Sequence, residues 1–203
     1  MMARAREIMA ETGGFANRPV QQPGHDRRLL WGWGASWPSR STEALDAFCA
    51  YVGTAGCLVG TCRGLRERFP EMQRVAIEPE ESAVLSGRPA GTHRIEGGGS
   101  GFRPPLLAEG SYDEVQTVST AEAMAMARRA AKEEGVFGGA LDRCATSVVA
   151  LRLAARSAQA GAWPRVQVAT SGIKYLGRCH LPLAPGRRYP PPWPTSASTA
   201  APR

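Results

Sequence analysis

Lysine is almost missing from this chain: of 203 residues only Lys132 and Lys174 carry a side-chain amine, and every other fixed cation is arginine. Chemistry that needs a lysine is thereby confined to two positions. There is no run of about eighteen uncharged apolar residues, the length a membrane-crossing helix needs, so no span is expected. The opening MMARAREIMAETGG is charged and helical in pattern and lacks the apolar centre of a secretion signal. A cytoplasmic protein is the expectation. Cysteine is sparse and odd in number: Cys49, Cys57, Cys62, Cys144 and Cys179, with no C-x-x-C pair. That argues against a zinc site or a disulfide framework and leaves buried free thiols as the reading, with no metal ligand assigned.

The formal charge of +7 suggests a nucleic-acid partner until it is located. Thr42 to Gly177 holds fifteen acids and fifteen bases, residues 1–41 hold six bases against three acids, and 178–203 hold four arginines and no acid. The surplus sits in two irregular end segments, whereas nucleic-acid binding wants its cations on a folded face, often with stacking aromatics. Trp31, Trp33 and Trp37 do lie near Arg27, Arg28 and Arg40. Nothing else there reads as a folded module, and a solvated basic tract is the expectation.

Four stretches follow along the chain. Residues 3–12 read as a helix stopped by Gly13 and Gly14. Residues 18–42, with prolines at 19, 23 and 38, have neither helical nor strand period. From 43 to 177 strand and helix alternate. AFCAYVG and RVAIEPEE suit buried strands, and Leu58, Cys62, Leu65 and Phe69 recur at helical spacing until Pro70. A glycine-rich loop, GTHRIEGGGSGFRPP, precedes a short strand EVQTVS. Ser119 and Glu122 then make an S-x-x-E capping box for AEAMAMARRAAKEE, stopped at Gly135. SVVALRLAARSA reads as a further helix and VQVAT as a last strand before SGIKYLG. Residues 178–203 are a Pro/Ser/Ala-rich tail of disordered composition. The fold class is α/β, with parallel strands and right-handed crossovers.

The strand–loop–helix passage Tyr51-Val52-Gly53-Thr54-Ala55-Gly56-Cys57-Leu58 carries the sharpest chemistry. Small residues at a helix N-terminus let backbone N–H groups converge on an anion, and the helix dipole favours a phosphate there. A tight turn with no ligand uses the same residues, so the loop alone leaves both readings open. Likewise Glu96-Gly97-Gly98-Gly99-Ser100-Gly101-Phe102 reads either as a flexible connector or as a loop that closes a site.

The phosphate-loop passage resembles the GTGGT loop of the cysteine synthase/cystathionine β-synthase family of pyridoxal-phosphate (PLP) enzymes, fold type II. ETGGF, LDAFCAYVGTAGCLVGTCRGLRER, VAIEPEESAVLSG, HRIEGGGSGF, YDEV and SGIKYL are similar to family landmarks in the same order, covering about residues 3–17 and 43–177. The resemblance implies an incomplete parallel-sheet lobe from the C-terminal portion of a PLP-dependent β-replacement enzyme of the O-acetylserine-to-cysteine type. It implies PLP as cofactor, its phosphate held at Gly53, Thr54, Gly56 and Cys57. It also implies an amino-acid substrate and a homodimer or a complementing upstream fragment as partner.

Departures from the family pattern bear on activity. Ala55 stands where the family has glycine, and Cys57 stands where it has threonine, which replaces a good hydroxyl donor by a weak thiol one. Both are expected to weaken phosphate binding. The family's Schiff-base lysine lies upstream of the matched region. Lys132, in the charged run ARRAAKEE, reads as a solvated residue, and Lys174 matches a different family position. No catalytic residue is therefore assigned, and the chain is expected to be inactive alone. Where the family has a TSSGA-like turn whose hydroxyl faces the pyridine nitrogen, this chain reads Ala140-Leu141-Asp142-Arg143-Cys144-Ala145. Where it has NQFNNP, the chain reads Arg18-Pro19-Val20-Gln21-Gln22-Pro23. Suitable codons for both stretches, read one nucleotide later, spell family-like motifs, so a local frame slip over 18–41 and 140–145 is the expectation that the nucleotide sequence tests. The alternative to a remnant enzyme is a non-catalytic binding or partner protein built on the same fold.

Overall fold

A computed structural model describes residues 7–8, 10–13, 45–136 and 141–156. The stretch 18–42, the expected strand 166–170 and the tail 178–203 lie outside the described residues. Of the expected first helix, residues 7–8 and 10–12 are helical, and Gly13 at φ 63° takes the left-handed turn that ends it.

The core is a three-stranded parallel sheet: β1 (Ala47–Tyr51), β2 (Gln73–Pro79) and β3 (Glu114–Val118), in the order β1-β2-β3. β2 is central, and Val75, Ala76 and Ile77 are fully buried. Burial on both faces explains why that strand reads as a continuous apolar run and does not alternate. The one buried charge within it, Glu78, is 2% exposed. Its carboxylate accepts from the Leu85 N–H (2.7 Å), the Ser86 N–H (2.9 Å) and the Ser86 hydroxyl (2.6 Å). Three donors offset its desolvation and fix the chain as it leaves the strand.

Helix α1 (Gly56–Arg66) covers one face, burying Leu58, Cys62 and Leu65 against Ala50, Val52, Ala76 and Leu107. Each fully buried leucine contributes about 1.5–3 kcal/mol. Helices α2 (Thr120–Glu133) and α3 (Leu141–Arg156) cover the other face, over Val75, Ile77 and Val118. The expected capping box forms: Ser119 Oγ accepts from the Glu122 N–H (3.3 Å) and Glu122 Oε2 from the Ser119 N–H (3.0 Å). Gly135 at φ 65° follows the helix, as its place in the sequence suggests.

Helix α3 begins six residues before the expected Ser147, so Leu141–Ala145 form its first turn. Leu141, Cys144, Ala145, Val148 and Val149 are buried at spacings of three and four. Asp142 in that turn complements the helix dipole. Packing and dipole together extend the helix through the stretch that departs from the family pattern.

Candidate functional site: the carboxyl edge of the sheet

The strands end along one edge at Tyr51, Pro79 and Val118. Beyond β1, the Val52 N–H donates to the Ile77 carbonyl (2.8 Å) and the Val52 carbonyl accepts from Gly99 N–H (3.0 Å). The chain then turns through Gly53, Thr54 and Ala55 into α1. Ala55 caps the helix at φ 66°, ψ −3°, and no side chain caps it. Ala55 is also the one non-glycine residue with positive φ among the described residues. The left-handed conformation costs an alanine about 1–2 kcal/mol. The position where the family has glycine thus takes a glycine-like backbone, and Ala55 retains the strain.

The first bond within α1 runs from the Val59 N–H to the Ala55 carbonyl (2.9 Å). The N–H groups of Gly56, Cys57 and Leu58 therefore have no partner inside the helix, and Thr54 Oγ1 stands 3.5 Å from the Gly56 nitrogen. Gly53, Thr54, Gly56 and Cys57, the four residues expected from sequence, thus lie together on one loop at a helix N-terminus. Burial pushes the Cys57 thiol up, with Arg143 opposing the shift, which keeps the sulfur neutral. Burial raises the thiols of Cys49 to about 11 and Cys62 to about 12. Among the described residues Cys62 and Cys144 are buried and Cys49 and Cys57 half-buried, all as free thiols.

The glycine-rich loop is packed onto this turn. A Cβ at Gly53 would sit 2.7 Å from the Gly97 carbonyl oxygen. A Cβ at Gly98 would sit 2.5 Å from the Val52 carbonyl oxygen and 2.7 Å from the Tyr51 ring. His93 Nε2 is 2.9 Å from the Gly99 carbonyl oxygen. Excess glycine here serves close backbone approach, and the loop walls the site.

Sequence reasoning missed Tyr51 and passed over Asp142. Tyr51 Oη is buried with no hydrogen-bond partner among the described residues. Its phenol is pushed far up by burial, then by Asp142, Glu81 and Glu78. Asp142, at the start of α3, is 8% exposed, and Oδ2 lies 2.5 Å from the place a Gly97 Cβ would occupy. Burial raises its carboxyl, with Arg143 opposing. A phenol closing a strand two residues before a Gly-Thr turn was the signal available for Tyr51; the expected burial of this strand is met only at Ala50, its other residues being half-buried. Lys132 stands exposed on α2, and Lys174 lies outside the described residues.

A parallel α/β lobe with an uncapped helix N-terminus at its carboxyl edge is the arrangement in which open α/β sheets present a site to ligands. The family model "Pyridoxal-phosphate dependent enzyme" matches residues 32–171, and the chain belongs to that family. The chain is 38% identical over 137 residues to a cysteine synthase of Staphylococcus aureus (strain Mu50 / ATCC 700699), covering 67% of this chain and 44% of that protein. It is 40% identical over 123 residues to cysteine synthase 3 of Caenorhabditis elegans, covering 60% and 36%. Among solved structures it is similar to O-acetyl serine sulfhydrylase isoform 3 from Entamoeba histolytica, with TM-score 0.82, 25% identity, and 92% and 56% of the two chains covered. It is similar too to an O-acetylserine dependent cystathionine beta-synthase from Helicobacter pylori, with TM-score 0.78, 25% identity, and 89% and 58% covered. The chain spans less than half the length of these curated relatives.

Proposed function

We propose that this chain is the phosphate-anchoring lobe of a cysteine-synthase-like PLP enzyme and holds the cofactor's phosphate at Gly53, Thr54, Gly56 and Cys57. By itself the 203-residue chain does not exchange the acetate of O-acetylserine for sulfide. The observation that carries the reading is the uncapped start of α1, entered through a left-handed Ala55. Its N–H groups, which lack partners inside the helix, and the dipole of an eleven-residue helix suit a phosphate. Gly53 leaves room for the Gly97 carbonyl, so the glycine-rich loop closes one side and excludes water. The Thr54 hydroxyl is within a small rotation of an added oxygen, and the neutral Cys57 thiol offers a weak donor without a repelling charge.

Bound there, PLP would supply an electron sink for charge developing at the α-carbon of an amino-acid substrate. The chain's own residues hold and orient it. Neither lysine stands in for the covalent anchor of the family: Lys132 is exposed on α2, and Lys174 matches another family position.

The test is a titration of the full chain with PLP, followed by borohydride reduction, intact mass, and an assay of cysteine formation from O-acetylserine and sulfide. Saturable, phosphate-competed binding with neither a reduced adduct at one site nor turnover is expected. Absence of binding sinks the anchoring role, and turnover sinks the inactivity. A second reading, a docking protein for another polypeptide or another copy, draws on β1, which has an open edge among the described residues. Light scattering on a size-exclusion column separates it: a strict monomer that also ignores added lobe fragments argues against it.

A further inference from the structure

The glycine-rich loop is an expensive stretch to hold in one shape. Gly97 (φ 106°), Gly99 (φ 67°) and Gly101 (φ 75°) all have positive φ, and between Gly97 and Gly101 only Ser100 has a side chain. Glycine loses more freedom on ordering than any other residue, so the run needs anchors. Two of them meet at Gly99. Its N–H donates to the Val52 carbonyl at the end of β1 (3.0 Å). Its carbonyl lies 2.9 Å from His93 Nε2, and a carbonyl only accepts, so Nε2 carries a proton and donates. A Cβ at Gly99 would lie 2.6 Å from Nε2 and 2.7 Å from Pro79 Cγ, so the ring closes on bare backbone. The second ring nitrogen, Nδ1, is buried with no hydrogen-bond partner among the described residues. Moving the proton there would break the bond to Gly99 and bury an unmet donor, so the packing selects the Nε2–H tautomer. The imidazole is itself held from behind. Ile95 is 1% exposed in the core shared with α2 and α3, and the Arg94 N–H donates to Thr120 Oγ1 (3.2 Å) at the start of α2. Gly91 lies so close to the Glu81 carbonyl that a Cβ would come within 2.0 Å of its oxygen. A fixed segment thus presents a donor to a loop that has few anchors of its own.

We infer that His93 is the positioning residue of this wall: its Nε2–H latches the Gly99 carbonyl and holds the glycine-rich loop against the end of β1. The latch makes the wall a fixed part of the lobe, standing on the protein's own bonds. It goes beyond the phosphate reading and holds whether or not phosphate binds at α1.

The test is hydrogen exchange of single backbone amides in the full chain, read by NMR for the wild type, His93→Leu and His93→Gln. The Gly99 N–H reports the latch, since it bonds Val52 from within the loop, and the β2 amides report the fold. His93→Leu keeps bulk and loses the donor, and it should speed exchange at Gly99 by about tenfold, the worth of one hydrogen bond. The β2 amides should not change. His93→Gln keeps an N–H donor within reach of the same carbonyl and should restore the protection. Equal exchange at Gly99 in the two variants, or a leucine effect spread evenly over β2, overturns the latch. The ¹⁵N shifts of the wild-type imidazole in mildly alkaline buffer need no variant. A protonated Nε2 beside a bare Nδ1 is expected, and a proton on Nδ1 overturns the inference even if both variants fail to fold.

Discussion

The two ends of the sheet are built on opposite terms. At the amino end the charges at the start of β2 and β3 are paired. Arg74 reaches Asp113 through Nε (2.9 Å) and through Nη2, and the Arg74 backbone N–H also donates to Asp113 (2.8 Å). Glu114 accepts from Gln73 (2.9 Å) and from Arg156 (2.9 Å), which ties β2, β3 and the end of α3 together. At the carboxyl edge, among the described residues, a helix starts without a side-chain cap and a phenol has no partner, while Asp142 is paired only with its neighbour Arg143. In parallel α/β sheets the helix N-termini gather at the carboxyl ends, where ligands bind. The saturated end is therefore the part that holds the fold, and the unsaturated end is where the proposed phosphate site lies.

Breaking the wall of the carboxyl edge gives the largest effect. Gly98→Ala puts a Cβ 2.5 Å from the Val52 carbonyl, a backbone atom already engaged by Gly99. Neither strand nor loop can give way cheaply, so a loss of about 3 kcal/mol is expected, at the upper end of overpacking costs. Urea unfolding followed by circular dichroism measures it, and a loss under about 1 kcal/mol would mean that the loop is free to move. Next comes the amino end. Arg74→Ala removes a paired guanidinium but leaves a half-exposed Asp113 that water can solvate. A cost of about 1.5 kcal/mol is expected, with no change in phosphate binding. Loss of binding on this substitution would merge the two ends into one functional unit.

The same contrast has a pH signature of opposite sign at each end. Hydrogen bonding from Arg74 holds Asp113 below its ordinary 3.8, so its contribution is present above that value and is lost as pH falls through the folded-state pKa. Burial holds Asp142 above 3.8. Its contribution is complete below that value and is lost as pH rises through its own folded-state pKa. Unfolding midpoints followed from about pH 3 upward should show R74A with a shallower acid loss, while D142N should gain stability relative to wild type as the pH rises. Parallel profiles for the two variants would erase the distinction.

Much of the fold was legible because local signals agreed with the global one. The run RVAIEP is apolar on both faces because β2 is central, and Ser119–Glu122 formed the box its spacing announces. That Gly53, Thr54, Gly56 and Cys57 sit together where β1 turns into α1 was legible; that they hold a phosphate is the proposal. The start of α3 was not, because Leu141–Ala145 read as a damaged turn, while burial of Leu141, Cys144 and Ala145 against the sheet extends the helix. Nor did the sequence reveal that Gly97 and Gly98 are fixed by contact, since a glycine needed for close approach and a glycine in a loose linker look alike until the opposing atoms are known. Tyr51 and Asp142 lie 91 positions apart in the chain, and only the crossing of α3 over the end of β1 brings them to the same edge.

The smallest effect is the most telling about the loop itself. Ala55 holds φ 66° at the head of α1, where glycine would sit without strain. Relief of about 1–2 kcal/mol is offset by the greater freedom that glycine gives the unfolded chain, about 0.4–1 kcal/mol. Ala55→Gly should therefore stabilise the protein by roughly 0.5–1 kcal/mol. If the strain serves to aim the N–H groups of Gly56 and Cys57, phosphate binding should not improve along with stability. If the alanine is merely a scar of substitution, binding should tighten in step. Paired thermal melts and phosphate titrations on this one variant tell a preorganised turn from a compromised one.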